Sequence, residues 1–213
     1  MIYLCLKMIF GPIKMKNIIS DIGKDVIDLQ IKALRKLKYS INESFKEAVK
    51  VISNCKSKVI VCGVGKSGII ASKISATLSS VGTPSFTILA SDCSHGDLGR
   101  ITSQDILILI SNSGNTEELK NIIKYLKMNK IILISIVSNR DSILDRSSNI
   151  KLLTPDVQEA GYGIVPTSST TVQLSLGDAL AIALMKKKNL VNWTLKNFIQ
   201  QEIWVINLKL QQT

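Results

Sequence analysis

The chain has 213 residues, of which 46% are hydrophobic and 20% charged, enough for one sizeable core and unlike a disordered segment. No apolar run reaches the ~18–20 uninterrupted residues that span a bilayer, so no membrane partner is expected. The net charge is +11, but the lysines are scattered over helix faces, and the run Lys186-Lys187-Lys188 sits at a helix end where cations suit the dipole. A solvated basic surface is therefore expected, with no nucleic-acid partner. Cys5, Cys55, Cys62 and Cys93 form no CxxC pair and no metal set, which predicts free thiols in a reducing cytoplasm.

Residues 1–13 are apolar but broken by Lys7, Gly11 and Pro12, without a basic start or a small-residue cleavage site, and make a poor signal peptide. Residues 1–14 are expected to be a non-core extension, with Met15 as an alternative start. Residues 15–54 read as two helices. Ile18, Ile22, Val26, Leu29 and Leu34 fall at helical spacing, and Phe45, Ala48, Val49 and Ile52 repeat it after a candidate cap at Asn42. Such an arm either covers the sheet or packs on a second subunit. Strands are then expected near 58–62, 85–89, 105–110, 131–137 and 150–153, with helices near 68–80, 116–128, 141–148 and 169–188. This alternation predicts an α/β fold, a three-layer αβα sandwich around a five-stranded parallel sheet. Ligands in such sheets sit past the carboxyl ends of the strands, so the informative loops are those that follow strands.

The first of these loops closes V-I-V-C-G-V-G-K-S-G, residues 59–68. Gly63, Gly65 and Gly68 permit a tight turn into a helix whose first N–H groups face an anion, with Lys66 and Ser67 at the tip. The glycines also fit G-x-G-x-x-G, the dinucleotide pattern, but the acidic residue it needs has only Asp92 as a late candidate. The second loop, S-D-C-S-H-G-D-L-G, holds His95, the single histidine. In the third, Ser111, Ser113 and Thr116 surround Gly114 just before a helix, a set suited to a phosphate dianion. The alternative there is an ordinary helix cap by Thr116 and Glu118. Last, Thr167, Ser168, Ser169, Thr170 and Thr171 follow Pro166 at the start of the long helix, more hydroxyls than an N-cap uses, with Glu159 just upstream.

Taken together, G-V-G-K-S-G, S-H-G-D-L-G, S-N-S-G-N-T-E-E, P-T-S-S-T-T and L-G-D-A-L-A-I-A-L resemble the sugar isomerase (SIS) domain of bacterial D-arabinose 5-phosphate isomerases, from about Lys16 to Leu190. The resemblance implies the flavodoxin- or Rossmann-like SIS fold over 15–190. It also implies interconversion of D-ribulose 5-phosphate and D-arabinose 5-phosphate through an enediol, on the route to the Kdo sugar of lipopolysaccharide, without a redox cofactor. Its catalytic lysine falls on Lys66, its two glutamates on Glu118 and Glu159, and its substrate contacts on His95, Gly82 and Thr83. Lys66 would steady the oxyanion, and either glutamate could be the base. The resemblance further implies self-association as a dimer or tetramer. The rival reading is a non-catalytic sugar-phosphate-binding protein, told apart by binding without conversion.

The chain departs from this family in three places. A histidine that can take zinc is replaced by Leu89, so no metal is expected. The loop Glu159-Ala160-Gly161-Tyr162 is one residue shorter than the family's. The H-P-G-G-x-L-G motif, with its active-site histidine, and the CBS pair that usually follows are missing, which leaves 191–213 as an aberrant tail. Phe198 to Val205, encoded as TTC ATC CAG CAG GAA ATT TGG GTA, gives H-P-A-G-N-L-G when read from its third nucleotide. The hypothesis that follows is a frameshift upstream of Ile199 and an impaired enzyme, and codons that cannot yield the motif out of frame refute it.

Overall fold

The computed structural model describes the backbone of residues 2–189 and the side chains of residues 18–93 and 96–189. The expectations for the tail 191–213 and its shifted motif therefore lie outside the described residues. Two helices precede the sheet, α1 (Ile2–Ser40) and α2 (Glu43–Ser53). α1 starts well before residue 15, running through Gly11 and Pro12. α2 starts where Asn42 caps it, its side-chain oxygen accepting the Ser44 N–H at 3.0 Å.

The α/β body follows as β1 (Val59–Gly63), α3 (Lys66–Ser80), β2 (Ser85–Leu89), two 3-10 turns (Asp92–His95 and Asp97–Arg100) and β3 (Ile106–Ser111). It continues with α4 (Glu117–Met128), β4 (Ile132–Val137), α5 (Ile143–Ser147), β5 (Ile150–Leu153) and α6 (Ser168–Lys187). The five strands form one parallel sheet in the order β2-β1-β3-β4-β5. Every residue of β1 and β3 is buried, as β-branched and leucine runs covered on both faces must be.

The period of two in the strands divides the core. Val59, Val61, Ile106, Ile108, Ile110, Ile134 and Ile136 face a layer built from α1, α2, α3 and α6. Ile60, Cys62, Leu107, Leu109 and Leu133 face the other layer, where Leu119, Ile122 and Leu126 of α4 meet Leu144 of α5. Each such side chain contributes about 1.5–3 kcal/mol when fully buried. α6 is the keystone of the first layer, burying Val172, Leu176, Leu180 and Leu184. It approaches α3 so closely that a Cβ on Gly177 would overlap the side chain of Ile74.

This topology positions the site. From β1 the chain crosses through α3 to β2 on one side. From β3 it crosses through α4 to β4 on the other side and over the opposite face. The carboxyl ends of β1 and β3, hydrogen-bonded neighbours, therefore flank the crevice where the strand order reverses. The β1-α3-β2 crossover runs α3 antiparallel to the strands, and α6 lies beside it in the same direction, Gln173 meeting Ser67, Asp178 meeting Lys73 and Lys188 meeting Thr83, so their first turns lie at that edge and their last turns at the other.

Candidate active site

The loop after β1 is compact because Gly63 and Gly68 leave no room for side chains. A Cβ on Gly63 would lie 2.6 Å from the Ser67 carbonyl oxygen. Gly65 turns the chain with φ +55°, and no side chain caps α3 behind it. Lys66 opens the helix exposed, and none of the described carboxylates lies within ion-pair distance of it. Ser67 is half-buried and donates its hydroxyl proton to Oε1 of Gln173 at 3.2 Å, tying the start of α3 to α6.

The loop after β3 is held from the neighbouring strand. Oγ of Ser111 accepts the Gly114 N–H at 3.0 Å. Gly114 has φ +68°, and a Cβ there would overlap the hydroxyl of Ser142. Its carbonyl accepts the Leu144 N–H at 3.0 Å, and Oδ1 of Asn115 accepts the Ile143 N–H at 2.9 Å. The loop is thus fixed to the start of α5 while its outer side stays open. Ser113 is exposed, and Glu118 is exposed in the first turn of α4. Thr116 occupies the N-cap position of α4, yet its side chain caps nothing; among the described residues its buried hydroxyl has no hydrogen-bond partner. Capping therefore does not account for Thr116.

The start of α6 is organised differently. Oε2 of Glu159 accepts the N–H groups of Thr167 (2.8 Å) and Ser168 (2.7 Å) and the Thr167 hydroxyl (3.2 Å). The Ser169 N–H reaches Oε1 at 3.2 Å and Oε2 at 3.3 Å. Burial pushes the Glu159 carboxyl up, but the hydrogen bonds from Ser169, Thr167 and Ser168 outweigh it and hold its pKa below the usual carboxylate range. The Thr170 hydroxyl donates to the Thr167 carbonyl at 2.9 Å, and Ser168 is fully buried with its hydroxyl unpartnered among the described residues. The shortened loop before the helix closes on itself through the bridge of Ala160 with Val165, and the Ala160 N–H donates to Oγ1 of Thr167 at 3.0 Å. The hydroxyl-rich helix start predicted to receive a ligand is occupied by the chain's own carboxylate.

The structure gathers Lys66, Ser67, Ser111, Ser113, Gly114, Thr116 and Glu118 at the tips of adjacent strands. Glu159, Ser168, Ser169 and Thr170 join them through the Ser67–Gln173 bond. His95 closes the first 3-10 turn after β2, the strand beside β1; its side chain is not among those described. Gly82 and Thr83 do not join this group. They follow the last turn of α3, at the opposite edge of the sheet, where Thr83 is buried and its hydroxyl accepts a hydrogen bond from Nζ of Lys188 at 3.4 Å. Leu89, half-exposed, ends β2.

Two features escaped the sequence. Gln173 is 1% exposed among apolar neighbours, and its spacing with Leu176 and Leu180 already marked a buried helix face. The second is that Cys62 and Cys93, free thiols as expected, are buried side by side; the neighbouring Cys93 and burial push the Cys62 thiol up, so it stays protonated. No described helix is long and apolar enough to cross a membrane.

A five-stranded parallel sheet flanked by helices on both faces and preceded by an N-terminal helix is the SIS fold. Residues 52–183 match the SIS domain, and the chain belongs to this family. Among its relatives, the arabinose 5-phosphate isomerase KdsD of Yersinia pestis is 46% identical over 167 residues, covering 78% of this chain and 51% of the relative. That of Francisella tularensis is 48% identical over 165 residues, covering 76% and 50%. The chain thus spans about half the length of these curated relatives. A solved Escherichia coli CFT073 protein in complex with arabinose 5-phosphate superposes with a TM-score of 0.81 at 37% identity, over 85% of this chain and 97% of that one.

Proposed function

We propose that the chain is a sugar-phosphate aldose–ketose isomerase that interconverts D-ribulose 5-phosphate and D-arabinose 5-phosphate. The observation that carries this reading is the pair of uncapped helix starts on adjacent strand tips, one bearing Lys66 and the other Glu118. Helix starts without a side-chain cap, lined by the hydroxyls of Ser67, Ser111, Ser113 and Thr116, suit a phosphate dianion. The arabinose 5-phosphate complex of the Escherichia coli CFT073 protein supports the choice of sugar.

In this reading the phosphate lies between the start of α3 and the Ser111–Thr116 loop, with His95 contacting the sugar. A base takes a proton from C1 of the ketose, forming an enediolate, and returns it to C2 while the hydroxyl proton passes from O1 to O2. Lys66 steadies the oxyanion. Glu118 is the better shuttle because its carboxylate is exposed, whereas Glu159 is committed to the α6 backbone. Glu159, with Ser168, Ser169 and Thr170, then shapes the wall of the pocket. Gly82 and Thr83 reach a substrate only from a second copy, consistent with self-association. No redox cofactor enters the scheme.

The test is to supply the purified chain with ribulose 5-phosphate and follow arabinose 5-phosphate. Conversion that disappears in Lys66→Ala supports the isomerase. Binding without conversion marks a sugar-phosphate sensor, and absence of binding refutes both.

A further inference from the structure

Gln173 is a buried polar side chain in contact with the strand-tip loops. A glutamine amide carries one acceptor and two donors, and burying it without bonds costs about 1–3 kcal/mol. The partner the structure gives it is Ser67, 106 positions away, in the first turn of a helix that no side chain caps. The bond has a direction. The Ser67 proton is donated to Oε1 of Gln173, so in this state Ser67 offers the pocket only lone pairs. A phosphate oxygen also offers only lone pairs. If the amide turns over, Nε2 donates to Oγ of Ser67 and the hydroxyl proton is released toward the ligand.

We propose that Gln173 is a positioning residue for the sugar phosphate: it holds the Ser67 hydroxyl at the mouth of the α3 start and, by exchanging its amide oxygen and nitrogen, turns Ser67 into a donor for a phosphate oxygen. The inference rests on the isomerase reading and assigns part of its phosphate grip. Such a grip acts on substrate and transition state alike, so losing it raises KM and spares kcat.

The experiment is steady-state kinetics on ribulose 5-phosphate with Gln173→Met, Ser67→Ala and the double variant. Gln173→Met keeps the length and removes both polar atoms. KM should rise about tenfold, the size of one lost hydrogen bond to an anion, with kcat changed less than about twofold. Ser67→Ala should give a similar rise, and the double variant little more than either alone, because both remove one interaction. A purely structural Gln173 would lower Tm and leave KM in place, which overturns the proposal, as does full additivity in the double variant. Should Gln173→Met fail to fold, the half-buried Ser67→Ala decides, and an unmoved KM there overturns it. In each of these cases an active wild-type chain leaves the isomerase reading standing; a wild-type chain that binds no sugar phosphate overturns both.

Discussion

The starts of α3 and α6 touch through Ser67 and Gln173, yet one is open and the other is filled. α6 begins with a run of hydroxyl residues, the richer anion signature of the two. Its first backbone donors are spent on Glu159, and the negative charge that the helix dipole favours is already supplied from within the chain. α3 begins with a glycine at positive φ, a lysine and one serine. It has no capping side chain, and among the described residues the side-chain tie at its start is the one to Gln173. A count of hydroxyls therefore does not locate an anion site. What sets the start of α3 apart is that no side chain caps it and that no described carboxylate lies within ion-pair distance of its cation.

Lys66→Ala tests the open end most severely. Removing an electrostatic stabiliser of an oxyanion costs about 10²–10³ in rate, so conversion of ribulose 5-phosphate should fall by that factor. Exposed as it is, Lys66 should leave thermal stability within about 0.5 kcal/mol of the wild type. A large fall in Tm would mean that α3 depends on Lys66 for its own order, and the contrast with α6 would fail.

A carboxylate at the far edge of the sheet calibrates the filled end. Asp105 is 1% exposed and accepts hydrogen bonds from Ser57, Thr102 and Lys58. Burial pushes its carboxyl up, but those bonds outweigh it and hold the pKa at about 2. Because the folded value lies below the ordinary 3.8, its stabilisation is complete above pH 3.8 and is lost as pH falls toward 2. Asp105→Asn should cost about 2–3 kcal/mol at neutral pH, measured by urea unfolding. The variant should also lose the part of the acid-induced destabilisation that falls in that window. An unchanged acid limb would show that these bonds do not set the Asp105 titration.

Much of this was legible in the residues. Runs such as Val59–Cys62 and Ile106–Ile110 are short, apolar and bounded by polar turns, so strands, parallel order and helix positions follow from pattern alone. The glycines at 63, 65, 68 and 114 marked the turns because backbone geometry admits little else there. The partner of each polar group was not legible. That Glu159 reaches across its loop to the backbone of α6 depends on the turn at Gly161–Gly163, where three successive residues take positive φ. That Gln173 meets Ser67 depends on how α3 and α6 pack at Gly177. The separation of Gly82 and Thr83 from the strand tips required the direction of α3 relative to the sheet, which a motif does not carry. Periodicity reports which face is buried; it does not report which of many hydroxyls a carboxylate has already claimed.

Glu159→Gln makes the finest distinction, because it asks whether the filled helix start is only architecture. A glutamine keeps the length and one acceptor oxygen, but it loses the charge that answers the dipole and turns an NH2 group toward backbone donors. The expected loss is about 1–2 kcal/mol, the range of a strong N-cap with its dipole contribution. Since the folded pKa of Glu159 lies below the usual range, its contribution is present above the unfolded value near 4.5 and fades as pH falls through the folded one. The variant and the wild type should therefore differ in stability at pH 7 and converge in acid. The same protein read by kinetics separates the two glutamates. With Glu118 as the shuttle, Glu159→Gln lowers kcat only as far as the loop over α6 loosens, while Glu118→Gln removes most of the turnover without altering stability. The reverse pattern, stability intact and turnover lost in Glu159→Gln, would make the capping carboxylate the base and leave the start of α6 as open as that of α3.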